Sequence, residues 1–187
     1  MKTHLYFVRH AHSTYTPDEL NRPLSENGRI DADHVTNFLI KEDIQIVCSS
    51  PYKRAIETVN GISEYIDKEI VIFEDLKERT LSKQPVENFN ESITNVWNNP
   101  SFSYEGGESN LDAQERGISA THSLLEKYRG KKVVIGSHGN IMVLIMNYFD
   151  RKYDFQFWKE LSMPDIYRLT FEENNLVDVK RIWNRTN

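Results

Sequence analysis

The sequence predicts an α/β fold, a three-layer α/β/α sandwich with a largely parallel central sheet. Short apolar runs that suit buried strands alternate along the chain with segments whose apolar residues recur at helical spacing. The chain has 187 residues, a size typical of one domain, and no proline-rich linker or internal repeat divides it. We therefore expect a single domain over residues 1–187.

Several short apolar runs are predicted to form strands. Four of them are expected in the parallel part of the sheet, and they cover residues 5–8, 44–48, 70–73 and 131–135. Two later runs, residues 166–171 and 177–183, flank the turn-rich segment 172–175. Two runs joined by such a turn predict a C-terminal hairpin.

Helices are predicted between these strands. Ser25 and Ser109 are residues of the type preferred at helix N-caps. The apolar residues that follow Ser25 at roughly helical spacing are Ile30, Val35, Phe38 and Leu39. Pro51 suits the first turn of a second helix, whose predicted inner face is Ala55, Ile56, Val59 and Ile62. Further helical patterns cover residues 88–98, 109–128 and 140–149.

Charge and composition disfavour several classes of protein. Acidic residues outnumber basic residues by 28 to 23, and a net charge of −5 disfavours binding to nucleic acid or anionic membranes. No run of about 18 apolar residues is present, and the apolar run near the N-terminus is too short for a signal peptide. Cys48 is the single cysteine, so neither an intrachain disulfide nor a cysteine-based zinc cluster is expected. We expect a cytoplasmic protein.

Polar residues follow the predicted strands at the edge where open α/β sheets bind ligands. Arg9 and His10 come directly after the first strand. Arg54 follows the second strand, and His138 follows the fourth. If these strand ends converge, one pocket holds two arginines and two histidines.

These residue types suit phosphoryl transfer. Arginine offers forked donors for phosphate oxygens, and two arginines roughly balance the charge of a phosphate monoester. A neutral histidine is a competent nucleophile, and neighbouring guanidinium groups favour the neutral form. A carboxylic acid can protonate the leaving oxygen, and Glu74, Asp75 and Glu78 follow the third strand. The inventory predicts a phosphohistidine mechanism that needs no metal and no cofactor.

Arg9-His10-Ala11 resembles the Arg-His-Gly signature of the histidine phosphatase superfamily. Five further segments resemble motifs of that family and occur in its order; they are residues 23–28, 49–58, 76–78, 106–109 and 137–139. The six motifs span most of the chain, which makes the resemblance specific. It implies a phosphoglycerate mutase-like fold and the small phosphatase branch of the family.

The resemblance also implies a role for each residue at the strand ends. His10 would be the phosphorylated nucleophile. Arg9, Arg54 and His138 would hold the phosphate oxygens. Glu78 would be the proton donor and later the base that activates water. The implied partner is a small phosphorylated substrate.

Three departures limit what the resemblance implies. Ala11 stands where the signature has glycine. Alanine is tolerated at this position if the backbone keeps a negative φ. Thr16 stands where phosphoglycerate mutases usually have asparagine. After Glu78, residues 79–83 replace the family's Phe-Gly-x-Trp-Glu-Gly, so substrate contacts there are not transferred.

The aromatic residues further on are expected to pack a lid helix rather than line a pocket; they are Phe89, Trp97, Phe102 and Tyr104.

The sequence leaves alternative functions open. A phosphoglycerate mutase would use the same His10 but return the phosphoryl group to the substrate. A chain of 187 residues has little room for segments that exclude water, so hydrolysis is favoured. A phosphohistidine protein phosphatase is a further alternative. A non-catalytic phosphate-binding module is disfavoured because the nucleophile and a candidate acid are both present.

Cys48 and Arg54 also have the Cys-x₅-Arg spacing of cysteine-dependent phosphatases. That mechanism needs successive backbone N–H groups around the phosphate. Pro51 removes one such donor, and no glycine lies between the two residues. We therefore expect a buried and inert thiol at Cys48.

Overall fold

The computed structural model describes residues 1–184, and its centre is a six-stranded sheet. The strands are β1 (Lys2–Arg9), β2 (Ile46–Ser49), β3 (Val71–Ile72), β4 (Lys132–Ser137), β5 (Asp165–Glu172) and β6 (Asn175–Arg181). Their order across the sheet is β3-β2-β4-β1-β5-β6. The first four strands of that order are parallel, whereas β5 and β6 pair antiparallel. The predicted parallel sheet and C-terminal hairpin are confirmed.

Six α-helices occur in the part of the chain that the structure describes. They are α1 (Glu26–Leu39), α2 (Lys53–Tyr65), α3 (Phe89–Asn98), α4 (Asn110–Lys127), α5 (Gly139–Phe149) and α6 (Phe155–Glu160). The hydroxyl of Ser25 accepts the N–H of Gly28, and that of Ser109 accepts the N–H of Asp112. Both predicted N-caps are therefore confirmed.

Alternating side chains of β1 divide the core into two layers, one on each face of the sheet. Tyr6 and Val8 pack on one face with residues of α1 and α2; these are Val35, Leu39, Val59 and Ile62. Leu5 and Phe7 pack on the other face with residues of α4 and α5; these include Ile118, Leu124, Ile141 and Ile145. Helices thus cover both faces, as the three-layer prediction requires.

Some local predictions are wrong. Ile30 is 51% exposed and lies outside the inner face of α1, which Ala32 forms together with the predicted Val35 and Leu39. Helix α2 begins at Lys53 with Tyr52 as its N-cap, so Pro51 precedes the helix rather than lying in its first turn. Strand β3 has only two residues, and α6 was not predicted because six residues are too few to give a helical period.

Among residues 1–184, no helix combines the length and the apolar composition needed to cross a membrane.

Candidate active site

The carboxyl ends of β1 and β4 bring the predicted site residues together. Arg9 ends β1 and pairs in register with Ser137, which ends β4. His10 and His138 directly follow these residues, and their ring centroids lie 5.2 Å apart in an edge-on arrangement. Arg54 reaches the same place from the first turn of α2.

Both ring nitrogens of His10 have defined partners. Nδ1 lies 2.7 Å from the backbone oxygen of Ala11, and Nε2 lies 3.2 Å from Nε of Arg54. Because a guanidinium N–H donates and a carbonyl oxygen accepts, this pattern assigns the proton to Nδ1 and a lone pair to Nε2. Burial, together with the positive charges of Arg54 and Arg9, lowers the pKa of His10 to about 3. His10 is therefore neutral at physiological pH.

Arg54 is buried, and Glu19 contacts its outer edge. Nη1 of Arg54 donates to the backbone oxygen of Glu19 at 2.9 Å and pairs with Oε2 of Glu19 at 3.1 Å. The guanidinium lies over the ring of Tyr52, with Cζ 4.8 Å from the ring centroid. Two oxygen atoms of Glu19 thus already bind the guanidinium of Arg54. A guanidinium that binds oxygen atoms in this position can also bind those of an anion.

His138 is fully buried, and one of its ring nitrogens has no partner. Oγ of Ser50 lies 2.8 Å from Nε2 of His138 and accepts the N–H of Tyr52 at 3.2 Å. If the Ser50 hydroxyl donates its own proton to Nε2, the ring proton of His138 is on Nδ1. Nδ1 has no hydrogen-bond partner within residues 1–184. Burial, then the positive charges of His10 and Arg54, hold the pKa of His138 well below its usual range.

Glu78 is fixed at the first turn of α5, next to His138. Its Oε2 accepts the N–H of Asn140 and its Oε1 accepts the N–H of Ile141, both at 3.0 Å. The carboxylate also interacts electrostatically with the guanidinium groups of both arginines of the site. Glu74 and Asp75 are exposed on a 3₁₀ turn that precedes it. Of these three acids, only Glu78 accepts hydrogen bonds from the first turn of α5.

Arg9 is held by backbone oxygens. Its Nη1 donates to the carbonyl of Leu161 at 3.0 Å and to that of Ser162 at 3.1 Å. Its Nε is buried and has no partner among the described residues. Gly139 permits this position, since a Cβ there would lie only 3.2 Å from Nε of Arg9.

Sequence reasoning did not identify some residues that build the site. The hydroxyl of Thr58 accepts the N–H of Ala11 at 3.0 Å and donates to the carbonyl of Arg54 at 2.7 Å. Thr58 thereby ties the segment that carries His10 to α2. Its position one helical turn after Arg54 is the feature of the sequence that places both on one face. Tyr52 has no comparable feature in the sequence.

Several other expectations are settled by the structure. Ala11 keeps a negative φ, because the non-glycine residues with positive φ within residues 1–184 are Asp43, Asp67 and Glu173. Cys48 is fully buried, as expected, and burial raises the pKa of its thiol to about 12.

The aromatic residues between 82 and 104 fall into two groups. Trp97 packs against the core and stacks on Phe155 with ring centroids 5.7 Å apart, but it also lines a cavity beside Leu144, so the expectation of packing rather than pocket lining is met only in part. Phe89 and Phe102 are 54% and 38% exposed. The packing expectation is therefore wrong for Phe89, which extends into solvent.

The arrangement can carry out phosphoryl transfer. It combines a neutral histidine whose Nε2 is unprotonated, two guanidinium groups, a second histidine and a carboxylate in one place. Within residues 1–184, no three His, Cys, Asp or Glu side chains form a group that could hold a metal ion.

Comparison with known proteins gives the family. Residues 5–184 match the model of the histidine phosphatase superfamily (branch 1). A candidate phosphoserine phosphatase of Hydrogenobacter thermophilus is 30% identical over 90 residues, which cover 46% of this chain and 44% of that protein. The chain spans less than two thirds of the length of the curated relatives that it matches.

Solved structures share the fold. A phosphoserine phosphatase from Entamoeba histolytica, in complex with 3-phosphoglyceric acid, superposes with a TM-score of 0.80 at 20% identity and covers 98% of each chain. A mycobacterial glucosyl-3-phosphoglycerate phosphatase gives a TM-score of 0.78 at 18% identity and covers 100% of each chain. The solved structures align with nearly the whole chain. Because the family model also matches nearly the whole chain, the protein belongs to the histidine phosphatase superfamily.

Proposed function

We propose that this protein hydrolyses phosphomonoesters through a phosphohistidine formed on His10. The observation that carries the proposal is the hydrogen-bond pattern of His10, which leaves Nε2 unprotonated beside Arg54. A histidine nucleophile must be unprotonated, and the phosphoryl group that it accepts must be surrounded by donors. The surroundings of His10 meet both requirements.

In the first step, Nε2 of His10 attacks phosphorus and the bond from phosphorus to the ester oxygen breaks. Glu78, in its protonated form, gives a proton to the leaving oxygen. The Nε–H of Arg54 turns from Nε2 to a phosphoryl oxygen. The products of this step are the free alcohol and a phosphorylated His10.

In the second step, water is the nucleophile. Glu78, now a carboxylate, accepts a proton from the water, which attacks phosphorus while the bond to Nε2 breaks. Inorganic phosphate leaves, and both His10 and Glu78 return to their starting forms. Glu78 thus acts first as an acid and then as a base.

Arg9, Arg54 and His138 bind the phosphoryl oxygens in this proposal. Nε of Arg9 is a buried donor with no partner among the described residues, and so is Nδ1 of His138 when Ser50 donates to Nε2. A bound phosphate supplies an acceptor for both. Two guanidinium groups offset the charge of the phosphoryl group as it passes between oxygen and nitrogen.

The proposed substrates are small phosphorylated molecules. Similar proteins are named for phosphoserine and for glucosyl-3-phosphoglycerate, both of which carry a phosphate and a carboxylate.

We also propose a cytoplasmic location, because a single buried cysteine, Cys48, suits a reducing compartment.

Turnover of p-nitrophenyl phosphate by wild type and by His10→Ala tests the proposal. We expect wild-type turnover to resist a chelator and to disappear in His10→Ala. His12→Ala, which changes an exposed histidine two residues away, is the matched control and should keep activity. Equal rates for wild type and His10→Ala would refute the proposal.

A second assay separates hydrolysis from mutase activity. A phosphatase releases inorganic phosphate from 3-phosphoglycerate or phosphoserine in step with substrate loss. A mutase interconverts phosphoglycerate isomers without net release of phosphate. Isomer exchange in the absence of phosphate release would replace the phosphatase proposal with the mutase alternative.

A further inference from the structure

We infer that Asp165 is a positioning residue for Arg9 and that it acts through the turn at Ser162. Asp165 is fully buried at the start of β5 and is the register partner of Arg9 on β1. Directly opposed residues of antiparallel strands point to the same face of the sheet. The carboxylate therefore lies on the face that carries Arg9. The inference rests on the proposed role of Arg9 as a phosphate ligand.

The carboxylate of Asp165 fixes the backbone that holds Arg9. Its Oδ2 accepts the N–H of Ser162 at 3.0 Å. The carbonyl of Ser162 and that of Leu161 accept Nη1 of Arg9, and they are the hydrogen-bond partners of the Arg9 side chain within residues 1–184. The direction of the guanidinium thus depends on where this turn lies.

Arg181 stabilises the same turn from β6. Its Nε donates to Oδ1 of Asp165 at 2.9 Å, and its Nη2 donates to the hydroxyl of Ser162 at 3.0 Å. The Arg181 side chain is 47% exposed, so its charge stays hydrated while it offsets the buried charge of Asp165. Burial lowers the pKa of Arg9, and the negative charges of Glu78 and Asp165 oppose that change.

Asp165→Asn keeps the shape of the side chain and removes its charge. The amide oxygen can still accept from Ile166 and Arg181, as Oδ1 does now. The amide NH₂ then faces the N–H of Ser162, and two donors cannot bond to each other. We expect the turn to shift and the guanidinium of Arg9 to lose its fixed direction.

A double-mutant cycle on kcat/KM for p-nitrophenyl phosphate tests the inference. If Asp165 acts through Arg9, Asp165→Asn lowers kcat/KM by about tenfold or more in the wild-type background. The same change lowers it by less than about twofold when Arg9 is already alanine. Asp178→Asn is the matched control, because Asp178 is a hairpin carboxylate that pairs with Arg168 at an exposed position. It should leave kcat/KM unchanged.

The outcomes distinguish two failures. An equal loss in both backgrounds would give Asp165 a general structural role and overturn the inference, and so would wild-type kcat/KM for Asp165→Asn. A wild-type value for Arg9→Ala would instead refute the phosphate-binding role of Arg9 in the proposed function.

A second variant keeps the inference testable if Asp165→Asn does not fold. Arg181→Gln changes a half-exposed residue and removes the ion pair to Asp165 and the contact with Ser162. We expect it to weaken the binding of inorganic phosphate, measured by calorimetry, by about two- to fivefold. Unchanged phosphate affinity in folded Arg181→Gln would overturn the inference.

Discussion

The Nε–H of Arg54 points at Nε2 of His10 across 3.2 Å, so one of the proposed phosphate ligands also keeps the proposed nucleophile unprotonated. The guanidinium favours the neutral ring in two ways, because it donates to the lone pair and because its positive charge opposes a second one beside it. When a phosphoryl group binds, the same N–H has an oxygen to bind instead. In the proposed mechanism, the contact therefore prepares His10 for attack without blocking it.

The burial of His10, reinforced by the positive charge of Arg54, predicts a loss of stability in acid. The pKa of His10 is 6.5 in the unfolded chain and about 3 in the folded protein. Between these values the unfolded chain binds a proton that the folded site excludes, so the free energy of unfolding falls as the pH decreases through this window. Urea unfolding at a series of pH values should show a shallower dependence for His10→Ala than for wild type. The exposed change Asn27→Ala should keep the wild-type dependence. Parallel curves for wild type and His10→Ala would contradict the prediction.

Glu78→Gln tests the proton donor. The amide cannot donate the catalytic proton, so kcat/KM for phosphoserine, which reports formation of the phosphohistidine, should fall by about 100-fold or more. The loss should be smaller for p-nitrophenyl phosphate, because nitrophenolate leaves without needing a proton. Glu74→Gln, a change to an exposed acid close by, is the control and should keep wild-type kcat/KM. A similar loss for both substrates would remove Glu78 from the role of acid.

Ser50→Ala tests the orientation of His138. Without the Ser50 hydroxyl, Nε2 of His138 loses its partner and the ring proton is no longer directed to Nδ1. We expect kcat/KM for p-nitrophenyl phosphate to fall by about tenfold, the effect of one lost hydrogen bond. Ser49→Ala removes a neighbouring buried hydroxyl that donates to the backbone oxygen of Gly136, and it should have a smaller effect. Equal effects of the two changes would argue against the role of Ser50.

The residues at the strand ends were easier to predict from the sequence than the backbone and side-chain groups that hold them in place. Arg9, His10 and His138 follow buried strands directly, so the rule that ligands bind beyond strand ends locates them. The residue types alone left Glu74, Asp75 and Glu78 open as the acid, and only the resemblance pointed to Glu78. The contact of Glu78 with the N–H groups of α5 could not be predicted from sequence. That contact exists only in the folded chain.

Backbone groups explain most of what the sequence could not predict. The carbonyls of Leu161 and Ser162 hold Arg9, and every residue type offers a carbonyl oxygen, so no pattern of side chains marks these positions. Helix α6, which precedes them, is too short to show a helical period. The edge-on contact of Tyr52 with His138 likewise joins residues that are far apart in sequence.

Gly28→Ala tests how the motif at residues 23–28 supports the site. Gly28 lies in the first turn of α1, where a Cβ would be 1.9 Å from the backbone oxygen of His12. That oxygen also accepts the N–H of Ser25 at 2.9 Å, so the start of α1 and the segment after His10 are packed together through it. Alanine must push them apart, and we expect a destabilisation of about 1–3 kcal/mol with reduced kcat. Urea unfolding and turnover of p-nitrophenyl phosphate measure the two effects, with Asn27→Ala as the exposed control on the same helix. Wild-type stability in Gly28→Ala would mean that the segment after His10 can move without cost, and that the glycine does not fix it.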